Sequence, residues 1–262
     1  MDGGQTIDLR RRGVLLAGAL AALAPVARAS AATEAGFQPT ANSAADVIVF
    51  CDRTLQHGLR KAGETFTAQT GAPVRLFSTS PRGMVAQIAH ITQTDVLITQ
   101  QPVMDGASAI IRPDTRTGAW RNSLVFAARA GEAPSASNLP EMLGDGRLAV
   151  TDPIADAPFD GRAILQQLGA LDAVASRIDG TPDTKQAAFL VTSGAAKLAL
   201  VYATDVRADP RLAVTALVSV PVPPYAAAVV TISRSPNAAG FVAFLRTPEA
   251  TSALHDAGLE AA

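Results

Sequence analysis

The sequence predicts an α/β protein with largely parallel sheets, and three observations predict it. Short, β-branched apolar runs alternate with stretches whose apolar residues recur every three or four positions. Glycines such as Gly71 and Gly194 stand where those stretches should stop. The 262 residues are enough for one large domain or two modest lobes.

Val47 to Cys51 reads as a buried strand. Leu55, Leu59, Ala62 and Phe66 then mark one apolar helix face, closed by Gly71. Val74 to Phe77 is the next strand, and Met84, Ile88 and Ile91 begin a second apolar stripe. Asp95 to Thr99 is a third strand, followed by a loop from Gln100 to Asp105 and an irregular polar stretch from Arg112 to Arg121. Ser123–Ala127, Arg147–Thr151, Leu198–Tyr202 and Tyr225–Ile232 are further strands, with extended chain from Ala213 to Val220. Helices are expected at Pro140–Leu143, at Gly161–Leu168, from Leu171, from Thr181-Pro182 to Val191, and at Ala238–Arg246 and Pro248–Ala257.

Two loops in the first half end where a helix begins. Thr54 and Ser80 stand at N-cap positions, and Pro81 suits a first helical turn. A helix N-terminus has unpaired N–H groups and favours anions, so two such ends in adjacent βα units can face one cleft. The plain alternative is that these residues are only caps.

Composition narrows the function. The net charge is −1 and no basic run lies outside the N-terminus, which argues against nucleic acid as a partner. Arg10-Arg11-Arg12, the apolar stretch Gly13–Ala24 and the small residues of Ala27-Arg28-Ala29 or Ala29-Ser30-Ala31 predict an export signal over residues 1–29. The consecutive arginines suggest the twin-arginine route; the aromatic that usually follows them is missing, so the general secretory route stays open. Cys51, the one cysteine, is expected to be a buried hydrophobe. The three histidines lie far apart without metal-ligand spacing, and no Gly-x-Ser-x-Gly motif is present, so nothing here supports an enzyme.

A collinear series of short motifs resembles the periplasmic molybdate-binding proteins of ABC importers. It comprises Val49-Phe50 with Thr54-Leu55, Gln87-Ile88 ahead of Asp95-Val96-Leu97-Ile98, and Asn122-Ser123-Leu124-Val125. Gly146 to Pro153, Leu168 to Asp172, Leu200 to Asp205, and Phe241, Phe244-Leu245 with Pro248-Glu249-Ala250 complete it. The resemblance implies a type II periplasmic-binding-protein fold of two α/β lobes around a ligand cleft, joined by two crossing strands near Asn122–Ala127 and Tyr225–Val230. Lobe 1 would comprise residues 45–121 plus 226–262, and lobe 2 residues 122–225. It further implies a monomeric periplasmic receptor without cofactor, which delivers a molybdate- or tungstate-like oxyanion to ABC importer membrane subunits.

The family holds its oxyanion with backbone N–H groups, hydroxyls and a tyrosine. Those positions fall on Thr54, on Ser80 or Pro81, near Ala157, on Thr184 and on Tyr202. Three loops depart from the family: Cys51-Asp52-Arg53, the loop with Pro81-Arg82, and Asp156-Ala157-Pro158-Phe159-Asp160. Arg53 and Arg82 are expected to strengthen anion binding if they line the cleft. An inward carboxylate at Asp52, Asp156 or Asp160 would oppose it, by about 4 kcal/mol per unit of ligand charge at roughly 4 Å and an effective dielectric of about 20. The alternative is that these aspartates cap helices or pair with the arginines. Two other functions stay open: the same scaffold reading another anion or a small polar organic solute, and an enzyme or sensor module on that scaffold.

Overall fold

In the computed structural model the described residues are 46–79, 84, 87, 93–134, 136, 138–152 and 159–261. The export signal expected over 1–29 lies outside them, as do Ser80, Arg82 and Ala157.

Val47–Asp52 forms β1, a strand buried along its whole length. It is apolar up to its last residue, Asp52, because both faces of its sheet are covered. Val47, Val49 and Cys51 point into one core with Leu55, Leu59 and Phe66, while Ile48 and Phe50 point into another with Leu97 and Met104. A 3-10 turn, Arg53–Leu55, leads into helix α1, Gln56–Thr70. Its apolar stripe packs on the sheet, and full burial of one such leucine, Leu59, is worth about 1.5–3 kcal/mol. Gly71 ends α1 with φ 74°, a left-handed conformation that only glycine adopts at little cost.

The first sheet continues with β2 (Val74–Thr79), β3 (Val96–Gln100) and β4 (Thr117–Asn122). Between β3 and β4 lies a short helix, α2, Gln101–Gly106, where the sequence predicts a loop. Pro102 in its first turn fits a helix start as well as a loop. The second sheet holds β5 (Leu124–Arg129), β6 (Leu148–Thr151), β7 (Ile178–Thr181), β8 (Leu198–Tyr202) and β9 (Leu212–Val218). The chain then returns to the first sheet with β10 (Tyr225–Val229) and ends in β11 (Leu259–Ala261). The strand orders are β11-β4-β10-β3-β1-β2 and β7-β6-β8-β5-β9.

The sheets are mixed rather than largely parallel. β1 pairs in parallel with β2 and β3, and β6 with β7 and β8; β10, β4, β11, β5 and β9 pair antiparallel. β10 lies between β3 and β4, so its residues come from far along the chain. Gly118 makes this possible, because a Cβ there would meet the Tyr225 carbonyl oxygen at 2.6 Å. The chain passes between the sheets at Ser123, between β4 and β5, and again through residues 219–224, between β9 and β10. Asn122 and Tyr225, at the edges of the lobe expected over 122–225, pair inside the first sheet opposite Leu259 and Gln100.

The second sheet repeats the two-sided burial. Leu124, Phe126, Leu148, Val150, Leu200 and Tyr202 face one core; Val125, Ala127, Ala149, Ala199 and Val201 face the other. Its helices are α3 (Leu139–Leu143), α4 (Gly161–Gln167), α5 (Leu171–Val174), α6 (Thr184–Ser193) and α7 (Ala203–Ala208). Helices α8 (Ala238–Phe244) and α9 (Pro248–Asp256) return to the first core, where Phe66, Phe241 and Phe244 pack as one aromatic group. Thr181, expected as the cap of a helix, ends β7 instead, and the cap of α6 is Asp183, which accepts a bond from the Gln186 N–H.

Candidate functional site

The carboxyl ends of β1 and β3 meet the end of β8 and the start of β10. This places Thr54, Gln100, Tyr202 and Tyr225 together, with Asn122 beside Tyr225. The group is stitched across the two sheets: Gln100 Nε2 donates to the Tyr202 hydroxyl over a long 3.5 Å, and Asn122 Nδ2 donates to Thr204 Oγ1 at 2.9 Å.

Thr54 is not the cap that its position suggests. Asp52 caps the 3-10 turn, and its Oδ1 accepts from both the Thr54 N–H and the Thr54 hydroxyl at 3.0 Å. The hydroxyl has one proton and gives it to Asp52. At 3.1 Å, Tyr225 is therefore the donor and Thr54 Oγ1 the acceptor. Burial pushes the Tyr225 phenol up, so it stays a donor at any ordinary pH. Tyr202 is buried as well and held well above the usual phenol range, first by desolvation and then by the charges near it. Phe159 covers its ring edge-on at 5.3 Å.

Thr184 begins α6, so its N–H is among those a helix leaves without an internal acceptor. Its hydroxyl bonds the buried Asp205, whose Oδ2 also accepts from the Tyr202 N–H at 3.1 Å. Desolvation raises the Asp205 carboxyl to about 6 despite these bonds, and the Asp52 charge adds to the rise. Lys185, exposed on the first turn of α6, lowers the titration of both Asp205 and Cys51, so its field reaches both sheets. Cys51 itself is buried and pushed up to about 12 by desolvation first, which keeps it a thiol.

Arg53 stands at the rim. Its Nη1 lies 3.2 Å from Asp183 Oδ2, an ion pair between the sheets with both side chains about a third to a half exposed (46% and 34%). Of the three aspartates expected to oppose anions, Asp160 caps α4 through the Ala163 N–H and Asp156 lies outside the described residues. Only Asp52 is seen to stand in the group itself. Among the described residues, no set of three or more His, Cys, Asp or Glu is arranged to hold a metal ion. His57 and His255 are exposed.

So the sequence-predicted Thr54, Thr184, Tyr202 and Arg53 come together where the two sheets meet, while Ser80, Arg82 and Ala157 lie outside the described residues. Tyr225, Gln100, Asn122, Asp205 and Lys185 join the group without having been singled out. The Asp at the third position of α7 offered one signal, because its side chain reaches back to the Tyr202 N–H as in a capping box.

A profile described as bacterial extracellular solute-binding protein matches residues 47–260. The chain belongs to that family. Among curated proteins, this solute-binding protein is 29% identical over 193 residues to the molybdate-binding protein ModA of Escherichia coli K12, covering 69% of this chain and 75% of that one. Among solved structures, it resembles the periplasmic molybdate-binding protein of Azotobacter vinelandii at TM-score 0.68 and 20% identity, covering 82% of this chain and 99% of that one. The sulfate-binding protein SubI of Mycobacterium tuberculosis H37Rv is similar at TM-score 0.63 and 14% identity, with 82% and 86% covered. These structural likenesses establish the two-lobe fold. No helix of the described residues is long and apolar enough to cross a membrane.

Proposed function

We propose that this solute-binding protein holds a small oxyanion, molybdate- or tungstate-like, in the cleft between its sheets. It then hands that oxyanion to the membrane subunits of an ABC importer in the periplasm, acting as a monomer. The observation that carries this reading is the meeting, across from Thr54 of the first sheet, of the Tyr202 hydroxyl, which accepts from Gln100 and keeps its own proton to donate, with the N–H of Thr184 at the start of α6. Hydroxyls and helix N–H groups replace the hydration shell of an anion without neutralising it through a bound cation. The named ligand of the E. coli relative supports the same choice. The oxyanion is cargo, and no prosthetic group is needed. Closure of the lobes on the ligand would bury it, and affinity would come from contacts made only in the closed form.

A thermal-shift screen of the chain from Ser30 tests this reading. Molybdate, tungstate, sulfate, phosphate, chromate and small organic acids form the panel. A ligand at 100 times its Kd stabilises by about 2.7 kcal/mol, a shift that such a screen resolves. A rise with molybdate and tungstate supports the proposal. A rise with an organic acid alone overturns it in favour of the same scaffold with another solute, and turnover of any ligand would assign an enzyme.

A further inference from the structure

Asp52 does something in this cleft that a cap alone does not require. Its side chain is 3% exposed, and Oδ1 already receives both donors of Thr54. Oδ2 is buried and has no hydrogen-bond partner among the described residues. A buried carboxylate oxygen left without a donor is costly, and a native structure keeps one where something else satisfies it. The Arg53 guanidinium beside it is engaged with Asp183. Among the described residues, the remaining titratable and charged groups around Asp52 are Cys51 on its own strand, Tyr225 from β10, and Tyr202 and Asp205 from the second sheet. Lys185 acts on Cys51 and Asp205 from α6. The two phenols and the thiol are neutral at ordinary pH, and Asp205 has its own two donors.

An oxyanion entering this group presents more acceptors to Oδ2, and an acceptor facing an acceptor cannot be satisfied. We propose that the cleft takes up its oxyanion together with one proton from solvent, shared between Asp52 Oδ2 and a ligand oxygen. Whether the proton is written on the carboxyl, donating to the ligand, or on the ligand, donating to the carboxylate, the complex has the same composition: protein, one dianion, one proton. Desolvation already raises the Asp52 carboxyl in the ligand-free protein, and a dianion against it raises it further. The loaded receptor then carries one negative charge fewer than the sum of its parts.

The inference rests on the oxyanion reading above, and one experiment separates the two. Molybdate and sulfate, both dianions at pH 8, are titrated calorimetrically into the full chain in two buffers of different ionisation enthalpy. The expected result is uptake of about one proton per ion bound and an affinity that falls about tenfold per pH unit above the Asp52 pKa. Asp52→Asn keeps an acceptor for Thr54 and a side-chain amide toward the ligand but cannot titrate. With it, proton uptake should vanish and the pH dependence flatten. Binding by the wild type with no proton uptake overturns the inference and leaves the oxyanion reading standing. Equal uptake by Asp52→Asn overturns the role of Asp52. Failure of wild type and variant alike to bind any oxyanion overturns the reading itself.

Discussion

Tyr225 illustrates how one proton directs a site. Because Thr54 has given its proton to Asp52, the phenol must donate, and Tyr225→Phe leaves Thr54 Oγ1 without that donor. Its expected cost is about 1 kcal/mol of stability, read by urea denaturation. On the proposed oxyanion reading, Tyr202→Phe should weaken molybdate binding by about 1–3 kcal/mol in calorimetry; an unchanged Kd would remove the phenol from the ligand contacts. Asp205 gives the pH prediction. Its carboxyl is raised from 3.8 to about 6, so the native state holds the proton more tightly than the unfolded chain. Its contribution is therefore fully present below 3.8 and is lost as pH rises through about 6. The difference in unfolding free energy between wild type and Asp205→Asn should shift by on the order of 3 kcal/mol across that window, at about 1.4 kcal/mol per pH unit. Of these groups, the sequence marked Thr54, Thr184 and Tyr202, whose resemblance to a family was local. Tyr225 was not marked, because the first residue of an alanine- and valine-rich strand reads as core until the strand's neighbours are known.

At the scale of elements, sequence and structure agree where the signal is local. β1, α1 and β2 follow from β-branched runs, a stripe of apolar residues and Gly71. Gly71→Ala should destabilise by about 1 kcal/mol through its positive φ alone, since nothing lies within 4 Å of the added methyl. Equal stability in thermal melts would mean that this end of α1 can relax. β4 was read as irregular because Thr117-Gly118-Ala119-Trp120-Arg121-Asn122 shows no apolar alternation. What makes it a strand is partners distant in sequence, β10 on one side and β11 on the other. β7 and α7 were missed for a related reason, each being short enough that its neighbours rather than its own pattern decide it.

At the scale of the molecule, three of the described side-chain bonds join the two sheets, of which Arg53 with Asp183 is the exposed one. Arg53→Ala should change global stability by less than about 1 kcal/mol, because a half-exposed pair is well screened. It should nonetheless enlarge the radius of gyration of the ligand-free protein in small-angle scattering, by favouring the open form. Identical scattering would mean that the Gln100–Tyr202 and Asn122–Thr204 bonds, not this pair, set the separation of the sheets. The two-lobe plan itself was legible because a family resemblance runs in order from about Val47 to Gly258; the Arg53–Asp183 pair was not, since its two residues are 130 positions apart. The two passages between the sheets are unequal. One is the single residue Ser123, whose carbonyl is bonded by the Ala203 N–H; the other carries Pro221, Pro223 and Pro224, which cannot donate to a ladder. A short pivot beside a stiff strut leaves the halves little freedom to slide or shear. Their relative motion is then expected to reduce to one angular coordinate, so that a single pair of fluorophores, one on each half, would follow capture and release, and two such pairs at different positions would report the same transition.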